Sequence, residues 1–103
     1  MFSSCSGVWF YGLAGSGKTF ASDVVATMFD NSFIIDGDVI RKLISYDLSY
    51  TLEDRNIQLQ RMVGLAELVI KNAQFPILST VSMNSVVFEQ CKVLGLEVVE
   101  ILR

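Results

Sequence analysis

Apolar residues along this chain fall into two patterns that take turns: short continuous runs, which suit buried strands, and longer stretches spaced by three and four, which suit helices. The run Val8-Trp9-Phe10-Tyr11, bounded by Gly7 and Gly12, predicts a first buried parallel strand. Between Lys18 and Phe29 the positions Phe20, Val24, Val25 and Met28 predict an amphipathic helix packed on that face, ended by Asp30-Asn31. Phe33-Ile34-Ile35 predicts a second short buried strand, with Asp36-Gly37-Asp38 directly at its carboxyl end. Val39 to Ile44 reads as a short helix and Ser45 to Thr51 as a loop. Leu59, Met62, Leu65, Ala66 and Val69 then mark the packing face of a long helix from Leu52 to Ala73. Pro76 opens a third strand, Ile77 to Val81, since a strand tolerates proline at its first residue. Asn84 to Leu94 reads as a last helix, with Gly95 where a left-handed cap belongs, and Glu97 to Leu102 as a last strand.

This order implies an α/β fold: a parallel sheet of about four strands, flanked by helices and joined by right-handed crossovers. At 103 residues the chain is a single domain, residues 1–103, with an apolar fraction of 51% that is ample for a core. The formal net charge is −3 and no basic cluster occurs, which argues against nucleic acid and anionic membranes as partners. No run is long enough to span a membrane, and the start Met1 to Ser6 lacks the basic region of a signal peptide. Cys5 and Cys91 have no CxxC or Cys/His companion, so unbridged thiols and a cytoplasmic location are expected. The chain contains no histidine, which excludes Ser-His and Cys-His nucleophile pairs and histidine-based metal sites. A general base is therefore expected to be a carboxylate.

Between the first strand and the first helix lies Gly12-Leu13-Ala14-Gly15-Ser16-Gly17-Lys18-Thr19. Holding a polyphosphate at neutral pH requires many N–H donors converging on a tetrahedral anion, and glycines at 12, 15 and 17 let the backbone wrap closely enough to supply them. The following helix adds its positive end, Lys18 can bridge the β- and γ-phosphates, and the Thr19 hydroxyl can ligate Mg²⁺. Gly12, Ala14, Gly15, Ser16, Gly17, Lys18 and Thr19 are thus the expected site for ATP with Mg²⁺, in a three-layer P-loop nucleotide-binding fold. The bland alternative is a glycine-rich turn with a chance lysine.

Ligands of open α/β sheets collect beyond the carboxyl ends of the strands, which places Asp36-Gly37-Asp38 beside the glycine loop. One carboxylate there could hold Mg²⁺ or accept the proton of an attacking hydroxyl. The competing reading is structural, with Asp38 capping a helix that begins at Val39. Arg41, Arg55 and Arg61 could grip anionic oxygens, and Arg55, Gln58 and Arg61 are spaced to line one groove, unless they are merely solvated surface residues.

Together, the glycine loop, Asp36-Gly37-Asp38-Val39-Ile40-Arg41, Asp54-Arg55 with Gln58 and Arg61, and Val81-Ser82 resemble the adenylylsulfate kinase family. The resemblance implies a P-loop kinase that moves the γ-phosphate of ATP to the 3′-hydroxyl of adenosine 5′-phosphosulfate. It assigns Lys18 and Asp36 to catalysis, Thr19 and Asp36 to Mg²⁺, and Asp38, Arg41, Tyr50, Arg55, Gln58 and Ser82 to the small anionic substrate. Where the family has Asp-Arg-x-Glu-Asn-x-Arg-Arg, this chain has Asp54-Arg55-Asn56-Ile57-Gln58-Leu59-Gln60-Arg61. A kinase for another anionic, hydroxylated metabolite and a catalytically idle nucleotide-binding or assembly module stay open as alternatives. The resemblance also implies a mobile lid, an adenine-contacting segment and a fifth strand beyond what these residues supply. The expectation is therefore a truncated kinase domain whose last strand is an exposed edge, inviting a homodimer or another association.

Overall fold

A computed structural model describes residues 4–102, so Met1 to Ser3, half of the stretch read for a signal peptide, and Arg103 lie outside the described residues. Four strands, β1 (Gly7–Tyr11), β2 (Ser32–Asp36), β3 (Phe75–Thr80) and β4 (Leu96–Glu100), form one sheet in the order β2-β3-β1-β4, every pair parallel. Between them run α1 (Lys18–Ala26), α2 (Gly37–Leu43), α3 (Leu52–Lys71) and α4 (Ser85–Leu94). The expected α/β architecture is therefore present. No helix among the described residues is long and apolar enough to cross a membrane.

The central strands β1 and β3 read as unbroken apolar runs because both of their faces are covered. Val8, Phe10, Phe75 and Ile77 pack with Val25 of α1 on one face. Trp9 and Leu78 point to the other, into a larger core with Leu59, Met62, Val63, Ala66 and Val69 of α3 and Val87 and Cys91 of α4. The packing face expected for α3 is the one observed, with Leu65 packed at its margin. Caps fix several boundaries: the Thr51 hydroxyl accepts from Asp54 N–H, the Asn84 side chain accepts from Val87 N–H, and Gly95 closes α4 at φ 80°.

Several details depart from the sequence expectation, among them the last strand, which runs from Leu96 to Glu100 rather than from Glu97 to Leu102. The helix expected to reach Phe29 ends at Ala26, where Thr27 caps it, and the Phe29 ring stacks on Phe75 with centroids 3.9 Å apart. Its buried face carries Ser22 and Val25, while Phe20, Val24 and Met28 are 75%, 45% and 60% exposed. The run Phe33-Ile34-Ile35 is an edge strand with one neighbour, and only Ile35 is buried. The third strand begins at Phe75 and ends at Thr80, with Pro76 second rather than first and Val81 outside it. Phe75 N–H bonds to Asn31 on the β2 side, so by strand alternation the proline nitrogen faces the start of β1, where little of the ladder is lost.

Candidate active site

The carboxyl ends of β1, β2 and β3 open into a cleft of about 590 Å³. Its walls include Ala14, Gly15, Gly17, Lys18 and Thr19 from the glycine loop and the start of α1; Asp36, Gly37, Asp38 and Arg41 from the β2–α2 junction; and Tyr50, Arg55 and Gln58 from the segment leading into α3. Ser82 joins them from the end of β3. Elements far apart in sequence thus bring nearly all the expected site residues to one place. Gly12 and Ser16 do not line the wall. Gly12 N–H is bonded to Thr80 O, and the Ser16 hydroxyl is buried without a partner among the described residues.

The loop is built as a donor surface. Gly17, left-handed at φ 103°, stands at the cap position before α1 and offers no side-chain cap, and no acceptor satisfies the amides of Ala14, Gly15 and Gly17 among the described residues. An uncapped helix start with unpaired N–H groups is the feature that an anion can complete. The Lys18 ammonium lies over the same loop, donating to the carbonyl of Gly12 and to that of Leu13 at 3.0 Å. From below, the loop is braced by the segment after β4, where Ile101 N–H donates to Tyr11 O at 2.8 Å. A Cβ on Gly12 would meet Ile101 O at 2.4 Å.

At the β2–α2 junction the cap differs from expectation. The helix begins at Gly37, and it is Asp36, not Asp38, that caps it: Asp36 Oδ1 accepts from Asp38 N–H at 2.8 Å. An aspartate can take this role while its second oxygen stays available, so the cap and an acidic role are compatible. Asp38 is exposed at the cleft wall.

The arginines separate. Arg55 lines the cleft with no protein partner among the described residues, which leaves its guanidinium available for an anion. Arg41 donates to Ser49 O at 3.1 Å and lies over the Tyr50 ring at 4.3 Å. Arg61 does not share their groove. It grips Asp47 through both nitrogens, at 2.7 and 2.9 Å, and reaches the buried Ser45 hydroxyl at 3.2 Å. That hydrogen-bonded guanidinium holds the Asp47 carboxyl below its ordinary pKa, while the Ser49 hydroxyl and amide do the same for Asp54. Arg61 therefore fastens the 45–51 loop rather than a ligand.

Sequence reasoning missed the support beneath Ser82. Buried Trp9 donates its indole N–H to the Thr80 hydroxyl at 2.9 Å, and Thr80 donates in turn to Ser82 O at 2.7 Å. The signal was there: an indole inside a strand needs an acceptor, and Ser79-Thr80 ends a central strand at the ligand-collecting edge. Asp47 gave no such signal, because its partner lies fourteen positions away.

A family model described as adenylylsulphate kinase matches residues 4–101. The adenylyl-sulfate kinase of Chloroflexus aurantiacus is 34% identical over 79 residues, covering 73% of this chain and 42% of that protein. That of Buchnera aphidicola subsp. Schizaphis graminum is 35% identical over 79 residues, covering 73% of this chain and 37% of that protein. The chain therefore spans well under half the length of these relatives. The Mycobacterium tuberculosis APS kinase in complex with AMPPNP and APS superposes with a TM-score of 0.77 at 24% identity, over 94% of this chain and 61% of that one. A gluconokinase from Sinorhizobium meliloti superposes with a TM-score of 0.65 at 18% identity, over 92% of this chain and 57% of that one. Likeness at these identities establishes the P-loop kinase fold.

Proposed function

Because the chain belongs to the adenylylsulphate kinase family, we propose that its cleft binds ATP with Mg²⁺ and directs the γ-phosphate to the 3′-hydroxyl of adenosine 5′-phosphosulfate. The observation that carries this reading is the set of unpaired loop amides at an uncapped helix start, with Lys18 lying over them. Those donors and the Lys18 ammonium take the β- and γ-phosphates. Thr19 and Asp36 both line the cleft and would hold Mg²⁺, which suits an ion that takes few protein ligands and completes its shell with phosphates and water. Bound there, the ion supplies charge neutralisation on the phosphate oxygens.

Transfer forms a bond between the acceptor oxygen and the γ-phosphorus and breaks the bond to the bridging oxygen, releasing ADP, while the acceptor proton passes to the Asp36 carboxylate. Arg55, with no protein partner, takes the acceptor's anionic end, and the Tyr50 face stacks on its base. Asp38, Arg41, Gln58 and Ser82 complete the acceptor side. A cytoplasmic location goes with this reading, since ATP is the donor.

Two measurements test it. In thermal unfolding, Mg-ATP at about one hundred times Kd adds about 2.7 kcal/mol by linkage, so the melting temperature rises in the wild type and stays flat in Lys18→Ala. With ATP labelled at the γ position, label appears on adenosine phosphosulfate and not on sugar or nucleoside phosphates. Label on another acceptor would replace the substrate assignment. A thermal shift with no label on any acceptor would leave a nucleotide-binding module.

A further inference from the structure

Gln58 lies on α3 and is only 5% exposed, yet it lines the cleft. Its Nε2 donates to Gly37 O at 3.1 Å, while its Oε1 is buried without a partner among the described residues. A carbonyl oxygen can only accept, so Gly37 dictates which end of the amide faces it and leaves Oε1 on the other side. If packing were the whole purpose, a methionine would fill this place without burying an unpaired oxygen. A polar group kept despite an uncompensated burial cost points to a role other than stability.

What Gln58 holds gives that role. α2 is a short helix whose one buried residue, Ile40, lies past its first turn. Gly37 is wedged against β3, where an added Cβ would approach Ser79 O to 2.9 Å. The Asp36 carboxylate is tied to this same turn through the Asp38 amide. A hydrogen bond from α3 to the Gly37 carbonyl therefore ties the acidic turn to the longest helix of the molecule.

We propose that Gln58 is a positioning residue: through the Gly37 carbonyl it fixes the turn that presents the Asp36 carboxylate to the cleft. This rests on the phosphotransfer reading above. It gives Gln58 a function in addition to its place on the acceptor side of the cleft.

The test uses the full chain and the variants Gln58→Met, which removes both the bond and the unpaired oxygen, and Gln58→Asn, which keeps an amide too short to reach Gly37. Both are expected to lower kcat about tenfold or more, with the thermal shift given by ATP without Mg²⁺, which the loop amides and Lys18 carry, unchanged. The melting temperature of the methionine variant is expected to equal or exceed that of the wild type. The amide resonance of Asp38, which reports the bond to Asp36, is expected to move in both variants. Unchanged kcat with an unmoved Asp38 resonance would overturn the proposal, as would a loss of activity explained by unfolding in both variants. A wild type that transfers no phosphate would sink the kinase reading alone, since the Asp38 resonance still decides whether Gln58 holds the turn.

Discussion

At the scale of single residues, the site depends on how closely backbone can approach backbone. Gly12 has φ 156° and its N–H on Thr80 O, and a methyl group there would press into the carbonyl of Ile101. Backbone cannot rotate away as a side chain can. Gly12→Ala is therefore expected to cost about 1–3 kcal/mol of stability and to abolish the Mg-ATP thermal shift, both read in one set of melting curves. An undiminished shift would show that the loop can move off Ile101 at little cost. The glycine spacing was legible in the sequence because a loop that leaves its amides unpaired at a helix start restricts both residue type and position. The ion pair that holds Arg61 was not, since spacing along a helix says nothing of what a distant loop places opposite it.

At the scale of elements, the order and type of every strand and helix were legible, because covered strands read as runs and covered helices as stripes. The failures occurred where apolar residues are not covered. On α1 the stripe Phe20-Val24, which Met28 continues in the turn beyond the helix, is the more apolar one, yet the sheet contacts the stripe containing Ser22 and Val25. The connection from the glycine loop sets the rotation of this helix, since it must present its uncapped start to the cleft, and a stripe rich in apolar residues does not override that. Substitution distinguishes the two orientations. Val25→Ala is expected to cost about 2 kcal/mol, whereas Phe20→Ser should change stability by no more than about 0.5 kcal/mol, both measured by denaturant unfolding. A large loss at Phe20 would mean that the helix is rotated from the position described. The run 33–35 misled for a related reason: a run predicts a strand, but coverage of both its faces depends on where that strand falls in the sheet.

At the scale of the whole molecule, the 45–51 loop is held over one side of the cleft by two carboxylates, Asp47 on Arg61 and Asp54 on Ser49. Both are held below the ordinary aspartate value of 3.8, so the folded form disfavours their protonation. Their stabilising effect is complete above the unfolded-state pKa, roughly 3.9, and fades as the pH falls through the lower folded values. Acid unfolding should steepen below about pH 4, and the double substitution Asp47→Asn with Asp54→Asn should flatten that limb. An acid limb identical in both proteins would assign the sensitivity to other carboxylates. The bracing of Tyr11 by Ile101 has a consequence at the same scale. It splices the end of β4 to the residue just before the glycine loop, so on the proposed reading nucleotide capture and the seating of that strand against β1 are expected to share one free energy. By reciprocity, a molecule that annealed to the open margin of β4 would tune nucleotide affinity from across the sheet, and nucleotide would in turn act as an adhesive for that margin.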